Sequence, residues 1–420
     1  MNKYSQTNTP WPQRECSARA VDCESIPASH RRVLVRAAQV MTMTRAQGTI
    51  AQGGVLVGLE AGKPPVIEAV GRADELLARY DLPVIDGKDA LLIPGLINCH
   101  THLELSHLAD RTCPGKGFTP WAVSLHPLMQ EPVPPEAMRH ALARMRETGT
   151  VLAADMSGYQ APLLAALLED DPLPDVFFLV QRMGFAPPKG ASLRPYAFAR
   201  GLEDRYLPVH RFSYAGHALY STHPATLQQT KRWCETHNLP FALHLAESLD
   251  EVALLRDGSG PLTAALKGSG LLPAWFAPVG KTPVAYAHEL GLLGPRTLAV
   301  HCVHVDAQDV ALLAATGTSV CLCPGSNACI GVGAPPVRAL YEAGVTLCLG
   351  TDGLSSNNDL DLLHELHLVR QHLPCLDVEQ GLRMVTTNAA RILGVAADYG
   401  SLEPGKKACM ALLNGLCDRS

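Results

Sequence analysis

Residues Leu91–Ser106 read LLIPGLINCHTHLELS. An apolar run, Leu91 to Asn98, reaches a glycine-punctuated corner and is followed by two histidines separated by one threonine. A strand turns successive side chains to opposite faces, so residues two apart share a face. If Leu91–Asn98 is a buried strand, His100 and His102 point the same way from its C-terminal end. Two neutral imidazoles on one face can grip one ion. The pair alone fits two hydrogen-bonded loop histidines equally well, so its reading depends on the rest of the chain.

From Leu91 to about Gly394, β-like runs alternate with helical stretches. The runs are LLIPGLIN, TVLAADMS, DVFFLVQRMG, RFSYAGHAL, PFALHLAES, TLAVHCVHV, TSVCLCP and VTLCLGTDG. Helical segments are expected at Pro135–Thr148, His223–His237 and Val305–Thr316, with Thr222 as N-cap of the second and Pro224 in its first turn. Eight strand–helix units in about 300 residues is the arithmetic of a (β/α)8 TIM barrel. A doubly wound open sheet competes. Most of the eight runs carry His, Asp, Arg or Asn near the C-terminal end, the face on which barrel active sites are built, and this favours the barrel.

Outside that region the texture differs. Residues 1–30 are polar and proline-bearing and are expected to be a loose extension. RVLVRAAQVMTM (32–43), GGVLVGLE (53–60) and PVIDG (83–87) are short β-like runs between turn residues. The C-terminal GSLEPGKKACMALLNGL has the same character. Residues 31–90 and 395–420 are therefore expected to pair into one small β domain, with the α/β barrel spanning 91–394.

The 420-residue chain is 47% hydrophobic and 18% charged, with a net charge of −5 and no long run of one sign. That composition builds a sizeable core and offers no basic surface for nucleic acid and no membrane-surface patch. Thirteen cysteines without a repeated C-x-x-C framework, and an N-terminus without an apolar core, read as a reduced cytoplasmic protein. No stretch approaches the roughly 18 apolar residues of a membrane span.

Four strand ends carry ligand chemistry. His100 and His102 close the first run, His244 ends FALH in the fifth with Glu247 three residues later, His301 ends LAVH in the sixth, and Asp352 ends LCLGTD in the eighth. A polar group at the end of a core strand is costly unless paired or bound to an ion. Five such groups at corresponding places in one repeat point to a metal site.

Taken in order, PGLINCHTH, HLAES, VHCVHV, CPGSN and GTDGLSSNN make the chain resemble the amidohydrolase superfamily, specifically its single-metal deaminase branch. The resemblance covers nearly the whole chain and implies a (β/α)8 barrel flanked by a small β-sandwich from both chain ends. It implies that His100, His102, His244 and Asp352 hold one divalent ion, Zn²⁺ or alternatively Fe²⁺. Binuclear relatives carry a bridging lysine on the fourth strand; RFSYAGHAL has none, which favours one metal. Such an ion acidifies water to a hydroxide that attacks an sp² carbon bearing an amino group. By the same resemblance His301 and Asp352 orient or deprotonate that water. Glu247 protonates the neighbouring ring nitrogen and then assists departing ammonia.

Other patterns carry less. His102-Leu103-Glu104 matches half of the H-x-E…P-C-x-x-C deaminase signature, but no P-C-x-x-C occurs. HELH at His364 lacks the spacing of H-E-x-x-H. Cys321 and Cys323 read as core packing, and His288 and His304 as ordinary polar residues. Cys409 stands where relatives carry an aspartate in G-K-x-A-D, a departure confined to the small domain.

HTHLELS and GTDGLSSNNDLDLLHEL most resemble aminodeoxyfutalosine deaminases of the alternative menaquinone route. Deaminases of adenosine, S-adenosylhomocysteine and methylthioadenosine stand close behind, with chlorohydrolases and triazine hydrolases as further alternatives. The expected partner is an adenine-type nucleoside, with a homodimer as the expected assembly. His217, Glu104, Trp121, Arg182, Ser326 and Asn357 are the substrate-binding candidates. Trp121 could stack on a purine, and Arg182 could meet a carboxylate at the far end of the pocket. A non-catalytic scaffold is the reading that the complete polar set argues against.

Overall fold

In the computed structural model, residues 16–415 are described apart from 24, 28, 29, 45, 171–173 and 191. The chain divides into two compact units, Met1–Asn98 with Ala143–Leu152 and Asp361–Ser420, and Cys99–Leu142 with Ala153–Leu360.

The first unit is organised by one seven-stranded sheet. It contains β1 (Ser17–Ala20), β2 (Arg32–Met41), β3 (Thr49–Gly58), β4 (Val66–Arg72), β5 (Val84–Asp86), β6 (Leu91–Pro94) and the strand Met410–Asn414. The order is β1, Met410–Asn414, β6, β2, β3, β4, with β5 beside β2, so both chain ends meet in it as the sequence suggested. Alternation assigns its faces. Val33, Val35, Val55, Val57, Leu92 and Leu412 share one core, while Leu34 and Leu56 pack with Ala73 and Leu76 in another.

Three sequence expectations change here. Ser17–Ala20 was expected within a loose extension, yet it pairs antiparallel with the C-terminal strand, Ser17 opposite Asn414; the first fifteen residues lie outside the described ones. Leu91–Asn98 is not one strand. Gly95 splits it, because a Cβ there would lie 2.3 Å from Val151 Cγ1. β6 joins the seven-stranded sheet and β7 (Leu96–Thr101) begins a different one. The helices Leu362–His372, Val378–Met384 and Thr387–Leu393, read from sequence as barrel, group with the first unit.

The other strands are β8 (Thr150–Ser157), β9 (Asp175–Arg182), β10 (Phe212–Gly216), β11 (Phe241–Leu245), β12 (Thr297–His301), β13 (Ser319–Leu322) and β14 (Leu347–Leu349). They form two four-stranded sheets, β7 to β10 and β11 to β14, each in sequence order. The pairings of β9 with β10 and of β11 through β14 are all parallel. The ladders stop at β10/β11 and at β14/β7, and a backbone bond at the C-terminal ends spans each gap. His244 N donates to His217 O at 3.0 Å, and Asp352 N donates to His100 O at 3.0 Å. The eight strands are those of a (β/α)8 barrel, fastened at the mouth where the chemistry lies.

The three expected helices run Pro135–Glu147, Pro224–Thr236 and Ala307–Thr316. The second is capped by His223, whose Nδ1 accepts from Ala225 N at 3.1 Å; Thr222, the expected cap, donates instead to Arg182 O. Cys321 and Cys323 are fully buried, as core residues should be. Among the described residues no helix is long and apolar enough to cross a membrane.

Candidate metal centre

His100 is the penultimate residue of β7 and His102 follows the strand directly, while His244 lies near the end of β11. His301 ends β12, and Asp352 stands three residues beyond β14. Strand ends are rigid platforms, and here they aim five polar side chains at one point. Ala246, His301 and Asp352 turn away from their strands at φ of 53°, 74° and 58°, left-handed values that non-glycine residues rarely adopt. Such conformations persist where the surroundings over-determine them, and they cluster at functional sites.

The ligand atoms converge. His102 Nε2 lies 3.4 Å from His244 Nε2, and Asp352 Oδ1 lies 3.4 Å from both His100 Nε2 and His102 Nε2. A tetrahedral zinc about 2.0–2.1 Å from each ligand spaces those ligands roughly 3.3 Å apart. The donor set therefore fits a divalent metal, with three imidazoles, one carboxylate and the spacing a small ion requires. His100, His301 and Asp352 form a second convergent group. His301, however, is turned toward Glu247, its Nε2 3.7 Å from Oε1.

Two of the candidate ligands, His244 and Asp352, are held from behind, as orientation of a metal site demands. His244 Nδ1 donates to His217 O at 2.8 Å, leaving Nε2 as the lone pair facing the site. Asp352 Oδ2 accepts from Ser326 Oγ at 2.7 Å and Ser356 Oγ at 3.0 Å, and Oδ1 accepts from Gly353 N at 3.0 Å. His301 Nδ1 donates to Asn327 Oδ1 at 3.0 Å. Glu247 N donates to Glu251 Oε2 at 2.9 Å. Behind the His102 turn, Asp155 accepts from Leu103 N at 2.7 Å and Ser157 Oγ at 2.6 Å.

The electrostatics suit metal binding, which needs neutral imidazole and ionised carboxylate. Burial pushes His102 down to about 3 and His301 down to about 4, and it pushes His244 well below its usual range, helped by the crowding of the other rings. Burial alone would raise Asp352, but the His100 hydrogen bond and the surrounding imidazoles hold it well below the usual carboxylate range. Glu247 goes the other way. Burial, then the charges of Asp352 and Glu251, raise it well above an ordinary glutamate. Two neighbouring carboxyls are thus driven apart, one anionic and one proton-holding.

The substrate candidates separate into groups. His217 sits beside the site, its ring 5.0 Å from that of His244, its Nδ1 2.5 Å from Ser221 Oγ, and burial pushes it down to about 4. Arg182 ends β9 with its guanidinium 3.9 Å over the Tyr196 ring, and its Nε and Nη1 are buried without a hydrogen-bond partner among the described residues. Trp121 donates its indole N–H to Ser355 O at 2.9 Å and packs on Phe118. Glu104 is wedged against the following turn: its Oε2 accepts from Gln160 N at 3.2 Å, and burial with the Asp155 charge raises it to about 7. The structure gives Ser326 and Asn357 other work. Ser326 is spent on Asp352 and Ser356. Asn357 donates to Thr351 O at 2.7 Å and accepts from Asn358 N at 2.8 Å, bracing its own loop.

Sequence reasoning missed Asn327, Ser356, Glu251 and Asp155. The first two lie inside CPGSN and GTDGLSSNN, so the motifs contained them, but no local rule says which polar residue faces the ligand behind it.

Residues 91–419 match the model of the amidohydrolase family. The chain is similar to the 5-methylthioadenosine/S-adenosylhomocysteine deaminase of Nitratidesulfovibrio vulgaris, 30% identical across 91% of this chain and 83% of the relative. Its fold resembles a zinc-bound adenosine deaminase from Xanthomonas campestris, with a TM-score of 0.72, 27% identity, and coverage of 90% of this chain and 84% of that one. The Helicobacter pylori aminofutalosine deaminase in complex with methylthio-coformycin shares the fold at a TM-score of 0.73 and 21% identity, covering 90% and 91% of the two chains.

Proposed function

The chain belongs to the amidohydrolase family, and from that premise we propose that it hydrolyses the 6-amino group from an adenine-type nucleoside, releasing ammonia. It is a hydrolase acting on carbon–nitrogen bonds of cyclic amidines. The observation that carries the nucleoside reading is the pairing of a three-histidine, one-aspartate metal centre with a proton-holding Glu247 across His301. The relatives named for adenine nucleosides support it.

His100, His102, His244 and Asp352 would hold the ion, zinc in this reading with iron(II) as the alternative. Bound there, it would supply a nucleophile from water at neutral pH. The rest falls to the chain's own groups. Asn327 Oδ1 accepts a hydrogen bond from His301 Nδ1–H, so Nε2 presents a lone pair able to accept a proton from attacking water. Glu247, kept protonated by burial, donates to N1 of the adenine ring, so that the electrons displaced from C6 have somewhere to go. The proton collected by His301 or Asp352 then reaches the amino group, which leaves as ammonia, and the proton of the added C6 hydroxyl returns to Glu247 as the carbonyl forms. Proton transfers of this kind contribute about 10² to 10⁴ in rate each. His217 contacts the nucleoside, and Trp121 walls the pocket.

Within the adenine nucleosides, the likeness of HTHLELS and GTDGLSSNNDLDLLHEL favours aminodeoxyfutalosine, whose carboxylate would meet the unpartnered face of Arg182. The likeness to 5-methylthioadenosine/S-adenosylhomocysteine deaminases supports 5′-thio nucleosides as the alternative. The test is ammonia release by zinc-loaded protein from aminodeoxyfutalosine, adenosine, S-adenosylhomocysteine, methylthioadenosine, guanine and a chlorinated triazine in parallel. Turnover of one or more adenine compounds above the others supports the reading and ranks the substrates. No ammonia from any adenine compound, with metal bound, overturns it.

A further inference from the structure

The helix Phe118–Leu128 has no cap of its own. Its N-cap is Gly117, at φ 87°, with no side chain to take the unpaired first-turn N–H groups. The missing cap arrives from the first turn of another helix, Leu249–Arg256. Asp250 Oδ2 accepts from Thr119 N at 3.2 Å and from Thr119 Oγ1 at 2.6 Å, and Thr119 is only 6% exposed. A carboxylate at a helix N-terminus satisfies an orphan donor and complements the positive end of the helix dipole.

This helix is the cover of the barrel mouth. It follows the His102 loop, and the loop and helix together are tied to three other segments beyond strand C-terminal ends, besides the helix carrying Asp250. Gly115 N and Gly117 N donate to Cys329 O and Ile330 O, at 2.7 and 2.9 Å, after β13. Thr112 Oγ1 and Trp121 Nε1 both donate to Ser355 O after β14. The Phe118 ring meets Tyr220, after β10, at 5.6 Å.

Asp250 also lies three residues from Glu247. The segment between is wound tightly: Glu251 N donates to Ser248 Oγ at 3.2 Å, and the Glu251 carboxylate takes Glu247 N. The residue that caps the cover therefore stands in the same turn that fixes the backbone of the proton-transferring glutamate. Resting on the deaminase reading above, we infer that Asp250 is a positioning residue: its hold on Thr119 makes seating of the cover helix and placement of Glu247 one event. A cover that closes over substrate excludes water and aligns the acid together, whereas a cover cut loose leaves Glu247 free to shift by fractions of an ångström, enough to cost rate.

The experiment uses the zinc-loaded full chain in five forms: wild type, Asp250→Ala, Asp250→Asn, Thr119→Val and the double variant Asp250→Ala with Thr119→Val. Asp250→Asn keeps an acceptor oxygen and should recover most of what Asp250→Ala loses. On an adenine nucleoside, Asp250→Ala should lower kcat about tenfold or more with zinc content unchanged, and adding Thr119→Val should cost little further, since both remove one interaction. Amide exchange gives a second readout that needs no substrate. In Asp250→Ala, protection should fall in 118–128 and also in 246–251. Faster exchange confined to 118–128, or full kcat in Asp250→Ala, overturns the coupling. If the wild type turns over no adenine compound, the deaminase reading fails on its own, and the exchange pattern still decides whether the cover and the Glu247 turn move together.

Discussion

Asp352 meets His100 twice: its backbone N–H donates to His100 O at 3.0 Å, and its Oδ1 lies 3.4 Å from His100 Nε2. The first contact fastens the last barrel strand to the first; the second joins two candidate metal ligands. Strand fastening and assembly of the site thus run through the same two residues, and perturbing either should damage both.

Gly350 tests this link. A Cβ there would lie 2.8 Å from His100 O and 2.9 Å from His100 N, against backbone that cannot step aside. Gly350→Ala should therefore cost about 1–3 kcal/mol of stability, the usual range for overpacking, and should lower zinc retained per chain. Denaturant titration and metal analysis check the two arms. Lost stability with full zinc occupancy would separate closure from the site and sink the argument.

The hydroxyls behind Asp352 should act through metal affinity. Ser326→Ala removes the shorter of two bonds to Oδ2 and leaves that of Ser356. Outer partners of metal ligands are typically worth 10- to 100-fold in affinity. Competition with a chelator should show a loss toward the lower end for the single variant, and toward the upper end for Ser326→Ala with Ser356→Ala. Unchanged affinity in the double variant would show these hydroxyls to be packing only.

Much of this was legible in the sequence for a physical reason: polar groups ending apolar strands are expensive, so His100, His244, His301 and Asp352 advertise themselves. The strand split at Gly95 was not legible, because the apolar run continues straight through it and only the approach of Val151 forces the break. Nor was the cap at His223, since Thr222 is the better local candidate and loses its hydroxyl to Arg182 O. Ser326 was recognised as a site residue but assigned to substrate, because its direction depends on the helix Pro324–Ile330 lying against Asp352.

Glu251 should make stability fall with pH. Burial raises its carboxyl to about 8, above the ordinary glutamate value of 4.5, and Oε1 has no hydrogen-bond partner among the described residues. A raised pKa means the folded state keeps a proton that the unfolded chain has released. The contribution is therefore whole below pH 4.5 and is lost as pH rises through about 8. Glu251→Gln keeps an acceptor for Glu247 N and removes the titration. Relative to wild type it should gain stability steadily between pH 5 and pH 8 in urea denaturation. A difference independent of pH in that window would mean the carboxyl is not titrating there.

Glu247 separates binding from chemistry. Its carboxyl faces His301 but is not among the converging ligand atoms, so Glu247→Gln should leave zinc content intact. Glutamine cannot supply the proton to the ring nitrogen, and turnover should drop by about 10² to 10⁴, the span of a single general-acid step. Asp352→Asn should behave differently, losing metal and rate together, because Asp352 contributes a ligand oxygen. In the proposed reaction the acid form of Glu247 is the working form, and burial with the Asp352 charge raises its pKa above the ordinary range. In wild type, kcat/KM should therefore survive well above pH 4.5 and fall only on the alkaline side, as the proton is finally lost. That alkaline limb should be missing from the residual activity of Glu247→Gln. If the limb persists in the variant, the titrating acid is another group, and the proton donor has to be sought elsewhere on the mouth.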